Sequence, residues 1–73
     1  MDVLKKVGLM CKGARKKDNM TIIGVAYLTG YSTSAIGSFE NGKTNNERLL
    51  LWYMKKFNLY DELRGVIDSE KIY

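Results

Sequence analysis

Residues 21–41 read TIIGVAYLTGYSTSAIGSFEN, and this stretch decides how the chain folds. Thr21 is an N-cap for a first short helix, and Gly30 stands where a left-handed residue would end it. Ser32 can cap a second helix immediately afterwards. Two helices joined by so few residues, with a glycine at the junction, cannot lie antiparallel and must cross steeply. Ala26 supplies the small side chain that this close crossing demands.

The helix that follows Ser32 has two chemically different faces. Ile36 and Phe39, three residues apart, form an apolar face that docks the helix onto its neighbours. The opposite face keeps only small or short polar residues, namely Thr33, Ser34, Gly37 and Ser38. Asn-Gly at 41–42 could also turn a β-hairpin, but the flanking residues do not alternate between apolar and polar. We therefore expect a helix that ends at Asn41 and leaves its polar face uncovered.

A longer helix is predicted upstream of this pair. Apolar residues recur at intervals of three and four, which aligns them on one stripe: Leu4, Val7, Cys11 and Ala14. The basic run 15–17 closes the helix, where positive charge complements the C-terminal end of the helix dipole. Asp18 and Asn19 form the break. Cys11 lies on the apolar stripe, so we interpret it as a core residue rather than a redox sensor.

Two more helices are predicted downstream. Asn45 or Asn46 caps the fourth, whose core stripe consists of Leu50, Tyr53, Met54 and Phe57. The fifth helix begins at Asn58. It carries apolar residues every four positions: Leu59, Leu63 and Ile67. Asp61 and Glu62 in its first turn suit the positive end of the helix dipole.

The length and the spacing together define the fold class. A chain of 73 residues permits one domain, close to the lower size limit for an unaided hydrophobic core. Proline is absent and the apolar spacing is helical throughout, so we predict an all-α, compact five-helix bundle. The domain is expected to span residues 1–68, and residues 69–73 are expected to form a frayed tail.

Composition argues against several classes of function. With no histidine and one cysteine, the chain cannot assemble a zinc site or a Ser-His-Asp triad. Its carboxylates are scattered and it has no Gly-rich phosphate loop, so we expect neither an enzyme nor a cofactor. The longest apolar run, Leu49–Met54, is far shorter than the roughly 20 residues that span a bilayer. A lone cysteine and no signal peptide favour a reducing, cytoplasmic setting.

The positive charge is unevenly distributed along the chain. Residues 1–43 hold seven Lys/Arg against three Asp/Glu, whereas residues 44–73 hold five of each. The formal net charge of +4 therefore resides entirely in the N-terminal part. This asymmetry suits a polyanion approached by one face, although lysines on ordinary solvated helices would look the same.

The apolar run Leu49–Met54 carries a second hypothesis. Six consecutive apolar residues on a helix cover its whole circumference and cannot all face one core. The fifth helix covers part of this surface. Leu51 and Trp52 then remain for a dimer or another partner, or else the whole run is covered within the monomer.

The sequence resembles the Cro/C1-type helix-turn-helix family of phage repressors and bacterial regulators. The resemblance covers about residues 7–57. The first helix is similar to the family's pattern of apolar residue, glycine and arginine at Val7, Gly8, Cys11, Ala14 and Arg15. Met20-Thr21, Ala26, Gly30 and Ser32 look like the start, the crossing and the cap of its motif. Glu40-Asn41-Gly42-Lys43 is close to the family's E-N-G-K ending of the recognition helix.

The resemblance implies a lambda-repressor-like fold in which helices 2 and 3 form the helix-turn-helix and residues 33–41 enter the major groove. It implies base-edge contacts from Thr33, Ser34, Gly37 and Ser38. It also implies phosphate contacts from Asn41 and Lys43, and a structural ion pair between Arg15 and Glu40. Where the family commonly has glutamine this chain has Ile22, so phosphate anchoring there is left to Thr21 and backbone N–H groups.

The function implied is sequence-specific double-stranded DNA binding by a small transcriptional regulator of phage or mobile-element type. A homodimer would occupy a pseudo-palindromic operator with half-sites about one helical turn apart. An alternative is a protein-interaction module, similar to an antirepressor, that binds another regulator through the fourth helix and the C-terminal segment. A third is the antitoxin of a toxin–antitoxin pair.

Overall fold

The computed structural model describes residues 2–70, which form five helices and no strand. In chain order the helices are α1 (Val3–Lys17), α2 (Ile22–Thr29), α3 (Thr33–Glu40), α4 (Glu47–Phe57) and α5 (Tyr60–Glu70). The predicted all-helical class with five helices is confirmed. Helix α5 continues two residues beyond the expected limit at Asp68, and residues 71–73 of the expected tail lie outside the described range.

The ends of α2 and α3 follow from their capping residues. The Thr21 hydroxyl accepts the N–H of Gly24 at 3.0 Å, and the Ser32 hydroxyl accepts the N–H of Ala35 at 3.1 Å. Gly30 ends α2 in the left-handed region, with φ of 79°. In this conformation the Cβ of any other residue would be strained against the backbone, and glycine has no Cβ. The predicted boundaries of this helix pair are thus confirmed.

Helix α1 is the element on which the others assemble, because α3, α4 and α5 all pack against it while α2 packs against α3. Gly8 allows the backbone of α1 to touch the end of α3. A Cβ at Gly8 would lie 2.4 Å from the carbonyl oxygen of Glu40. Gly42, with φ of 73°, allows a similar approach to the backbone of Lys5. These two glycines fix how closely α1 lies to the end of α3 and the loop that follows.

The buried core draws on α1 to α4 and on the α4–α5 junction, and α5 packs against it through partly buried residues. Its buried apolar residues are Val7, Cys11, Val25, Ile36, Phe39, Leu49, Tyr53, Met54 and Leu59. The prediction for α4 was wrong in one respect: Leu49 is fully buried, whereas Leu50 and Phe57 are only partly buried. Asn46 is the cap of α4, and Leu49 lies one turn before Tyr53 on the buried face of that helix.

The apolar stripes of α5 and α1 also differ from their predictions. Leu63 and Val66 of α5 pack against the core, while Ile67 is 51% exposed. Spacing of three rather than four turns the contact face of α5 away from Ile67. At the start of α1, Leu4 lies at the surface and Val3 packs against the core in its place. No helix within residues 2–70 is both long and apolar enough to cross a membrane.

A buried polar network joins α1, α3 and α4. The Arg15 guanidinium donates to both carboxylate oxygens of Glu40, from Nε at 2.8 Å and from Nη2 at 2.9 Å. Its Nη1 donates to the carbonyl of Met20 at 2.8 Å, just before α2. The Tyr53 hydroxyl donates to Glu40 Oε2 at 2.5 Å. The network thereby fixes the C-terminal ends of α1 and α3 against α4.

The environment of this network shifts the pKa of three groups. The hydrogen bond to Glu40 raises the pKa of Arg15 above its usual value despite burial. Burial, with the Glu40 charge nearby, raises the pKa of the Cys11 thiol to about 12. Burial and the hydrogen bond to Glu40 also raise the pKa of Tyr53. All three groups therefore keep their neutral-pH protonation states in the folded chain.

The first prediction concerns the ion pair. Arg15→Met leaves the Glu40 carboxylate buried with its main partner removed, so we expect the free energy of unfolding to fall by about 3–5 kcal/mol. Lys16→Met is the control, since Lys16 is an exposed neighbour and its replacement should change stability by about 0.5 kcal/mol or less. Urea denaturation followed by circular dichroism measures both. Equal losses in the two variants would contradict the structural role of Arg15.

The second prediction concerns alkaline pH. The folded pKa of Cys11 is raised from 9.0 to about 12, so the thiol ionises first in the unfolded chain. This contribution to stability is complete below pH 9 and is lost between pH 9 and 12, by about 1.4 kcal/mol per unit. In Cys11→Ala the decline should begin about one unit later, with Tyr53. If wild type and Cys11→Ala lose unfolding free energy over the same pH range, Cys11 is not the group responsible for the earlier decline.

Candidate nucleic-acid interface

Helix α3 presents one polar face to solvent. Thr33 and Ser34 are exposed in its first turn, and Gly37 and Ser38 are partly exposed one turn later. On the opposite side Ile36 is fully buried and Phe39 nearly so. The four residues expected to read bases therefore lie along the accessible part of a helix whose other side is locked into the core.

The N-terminal ends of α2 and α3 provide backbone donors. The first N–H groups of a helix have no partner within it, and they carry the positive end of its dipole. Thr21, exposed at the start of α2, adds a hydroxyl that already accepts from Gly24 and can still donate. Ile22 turns inward and packs against the core. The polar groups at this end are thus Thr21 and the backbone N–H groups, and their contact with phosphate stays a prediction.

The loop after α3 folds back beside its polar face. Asn41 caps the helix, and Gly42 turns the chain. The N–H of Lys43 then donates to the carbonyl of Ser38 at 2.9 Å. Asn41 and Lys43 are both exposed. This hydrogen bond places the two predicted phosphate contacts directly beside the C-terminal part of the polar face.

An open depression, lined mainly by residues with polar side chains, runs between α3 and the start of α4. Its α3 side is formed by Ser34, Ala35 and Ser38. Its other side is formed by residues 44–48, that is Thr44, Asn45, Asn46, Glu47 and Arg48. Sequence reasoning missed Thr44, Asn45 and Arg48 as site residues. The uninterrupted polar run after Lys43 was the signal that could have identified them.

Positive charge lies close to this depression. Lys43 and Arg48 are exposed beside it, and exposed Lys5 abuts the loop at Gly42. Glu47 is the acidic residue on its rim. The groups with shifted pKa, by contrast, lie in the scaffold behind α3 rather than on this face. Such an arrangement can position a polyanion by charge and helix ends while short hydroxyl side chains form single hydrogen bonds with it.

The arrangement contains no grouping of metal ligands in the described part of the chain, where no three His, Cys, Asp or Glu side chains come together. Arg15 and Glu40 form the ion pair beneath the face described above. They contact each other rather than the surface, being 7% and 2% exposed in their side chains. Their place is therefore in the support of α3.

The apolar run on α4 is only partly covered. Leu49, Tyr53 and Met54 are buried, while Trp52 packs edge-on against the rings of Tyr53 and Phe57 and stays partly exposed. Leu51 is 59% exposed. Of the two residues predicted for a partner surface, Leu51 is thus largely uncovered and Trp52 is half covered within the monomer.

Comparison with known proteins adds no assignment to this geometry. No family model matches the chain, and neither a curated protein nor a solved structure matches it.

Proposed function

We propose that the chain binds double-stranded DNA in a sequence-specific manner, as a small transcriptional regulator of the Cro/C1 type. In this proposal α2 and α3 form the helix-turn-helix of a lambda-repressor-like domain, and α3 enters the major groove. The observation that carries the proposal is the polar face of α3, which stays accessible while Ile36 and Phe39 anchor the same helix in the core.

Three surrounding features support the same function. The N-terminus of α2 and the α3–α4 loop offer exposed polar groups that could donate to phosphates, from Thr21, Asn41 and Lys43. Lys5 and Arg48 add positive charge around the loop. The buried network of Arg15 and Glu40 keeps α3 rigid, and a rigid recognition helix binds at a lower entropic cost.

The side chains on the polar face set the expected strength of binding. Hydroxyl groups form single hydrogen bonds that suit several bases, unlike bidentate arginine–guanine pairs worth about 1–3 kcal/mol each. One subunit should therefore discriminate weakly between sequences. A homodimer on two half-sites, separated by about 34–36 Å, would multiply the discrimination of each subunit.

The same short side chains favour a second candidate, a protein-interaction module that binds and modulates another regulator, or a toxin in the manner of an antitoxin. With Ser, Thr and Gly on the polar face, the chain lacks a residue suited to bidentate base recognition there. Purified protein that fails to bind any duplex but forms a stable complex with a companion repressor or toxin would favour this candidate.

The third prediction tests DNA binding directly. Selection from a randomised duplex library should enrich one motif, and affinity for it should fall steeply with salt, by about 0.9 log units per tenfold salt for each phosphate contacted. Thr33→Ala/Ser34→Ala should abolish preference for the selected duplex over random duplex. The fold should survive, since both residues are exposed. Fluorescence anisotropy measures the affinities, and circular dichroism verifies the fold.

Two lysine-to-alanine variants, each of which removes one positive charge, test the predicted phosphate contact of Lys43. Lys43→Ala should weaken binding to all duplexes and lower the salt slope by about 1. Lys56→Ala removes the same charge from the exposed last turn of α4 and should leave the slope unchanged. No enriched motif and no salt-dependent binding would refute the proposed function.

The fourth prediction uses two helical glycines. A Cβ added at Gly37 or at Gly13 would meet no atom within 4 Å, so neither glycine is required by packing. Alanine at either position should raise the free energy of unfolding by about 0.5–1 kcal/mol. Gly37→Ala also adds a methyl group to the polar face and should weaken DNA binding, whereas Gly13→Ala on α1 should not. Equal affinity of the two variants would show that Gly37 does not approach DNA.

A further inference from the structure

Helix α2 carries an uncovered apolar face that the proposed DNA contacts do not use. Its eight residues, IIGVAYLT, include no charged side chain. Ile23 is 73% exposed, Tyr27 is 88% exposed and Leu28 is 55% exposed. A surface helix in a soluble monomer normally presents charged or polar residues on its outer side. The outer side of α2 has the composition of a covered surface.

This face continues onto α4. Leu28 and Tyr31 share a depression with Arg48 and Trp52, so the end of α2 and the outer side of α4 adjoin. Leu51, exposed as described above, follows Arg48 at a spacing of three on α4. We call this set the α2–α4 patch. It comprises Ile23, Tyr27, Leu28, Tyr31, Leu51 and Trp52.

The area of the patch suits a specific interface. At roughly 200 Å² for a fully exposed large side chain, the four most exposed members contribute on the order of 500 Å². Tyr31, Trp52 and the stem of Arg48 add to it. Specific interfaces bury about 600–1,000 Å² per partner, and the largest apolar patch on a typical monomer, often a functional one, is about 300–600 Å². With these additions the patch approaches the area that a small dimer interface buries.

The charge distribution favours a second copy of this chain as the occupant. Each copy of the chain has a formal net charge of +4, so two copies repel each other wherever their lysine-bearing faces approach. The α2–α4 patch is uncharged apart from Arg48 on its rim. Two copies can thus meet here without pairing like charges. Its aromatic and aliphatic side chains are those enriched in interface cores, and a two-fold axis lets the same patch serve both partners.

We infer that the α2–α4 patch is the surface through which a second copy of this chain binds, in a symmetric dimer centred on Tyr27 and Leu28. The inference deepens the homodimer of the proposed function by naming its interface. It does not depend on DNA, because the patch, its area and its charge are properties of the free protein.

The fifth prediction is tested by sedimentation equilibrium of the full chain without DNA, from about 1 μM to about 1 mM, which covers weak and moderate association. Wild type should show a monomer–dimer equilibrium in this range. Tyr27→Ser/Leu28→Ser should raise the dimer Kd at least about 100-fold, since each substitution acts twice in a two-fold interface. Both side chains are exposed, so circular dichroism should show an intact fold.

The controls are Ile67→Ser on α5 and Leu9→Ser on α1, which truncate side chains of 51% and 52% exposure outside the patch. Neither should change the Kd. With a mild thiol oxidant added, Tyr27→Cys should also form an intermolecular disulfide faster than Ile67→Cys, because the two-fold interface brings the two copies of residue 27 together. The native Cys11 is buried and does not compete.

Two results would overturn the inference. One is a wild-type chain that stays monomeric at every concentration, which would leave the patch to a different protein. The other is a dimer that Ile67→Ser or Leu9→Ser dissociates while Tyr27→Ser/Leu28→Ser does not. DNA binding by a dimer-deficient variant is a separate measurement. Loss of DNA binding by wild type would refute the proposed function and leave the dimer interface standing.

Discussion

The bidentate contact between Arg15 and Glu40 is the interaction on which the rest of the molecule depends. It joins the end of the first helix to the end of the third, and the Met20 carbonyl and the Tyr53 hydroxyl complete its hydrogen bonding. A buried charge without partners is costly, so these groups hold one arrangement rather than several. The outer face of α3 is held in position because the buried polar groups beneath it are hydrogen-bonded to α1 and α4.

Two close backbone contacts, at Gly8 and Gly42, hold α1 and α3 together in addition to this network. Gly8 brings α1 into backbone contact with the end of α3, and Gly42 does the same for the loop that carries Lys43. The polar face and its flanking donors thus belong to one rigid body with α1. The outer side of α2 is apolar and carries no charged side chain, so it differs chemically from the polar face of α3.

Local signals made the helix limits predictable, whereas packing contacts between distant residues did not. Thr21, Gly30 and Ser32 fix α2 and α3 through hydrogen bonds within a few residues, so the sequence pattern was sufficient. The buried side of α4 depends on how that helix docks on α1. The sequence pattern placed Leu50 in the core, whereas the structure buries its neighbour Leu49. The participation of Tyr53 in the ion-pair network requires the tertiary fold, since no local spacing encodes it. The polar run 44–48 is visible in the sequence, but its position opposite α3 in the depression is not.

Two helical glycines have open space around them, so packing does not require glycine there, and their presence lowers the stability of the protein. Gly13 and Gly65 both lie inside helices, and a Cβ at either would meet nothing within 4 Å. Each lowers helix stability by about 0.5–1 kcal/mol relative to alanine, in a domain whose core is small. A larger share of molecules is then unfolded at any moment, and cellular proteases act on that share. At equal rates of synthesis, a chain with these two glycines is therefore degraded faster than one with alanine at both positions.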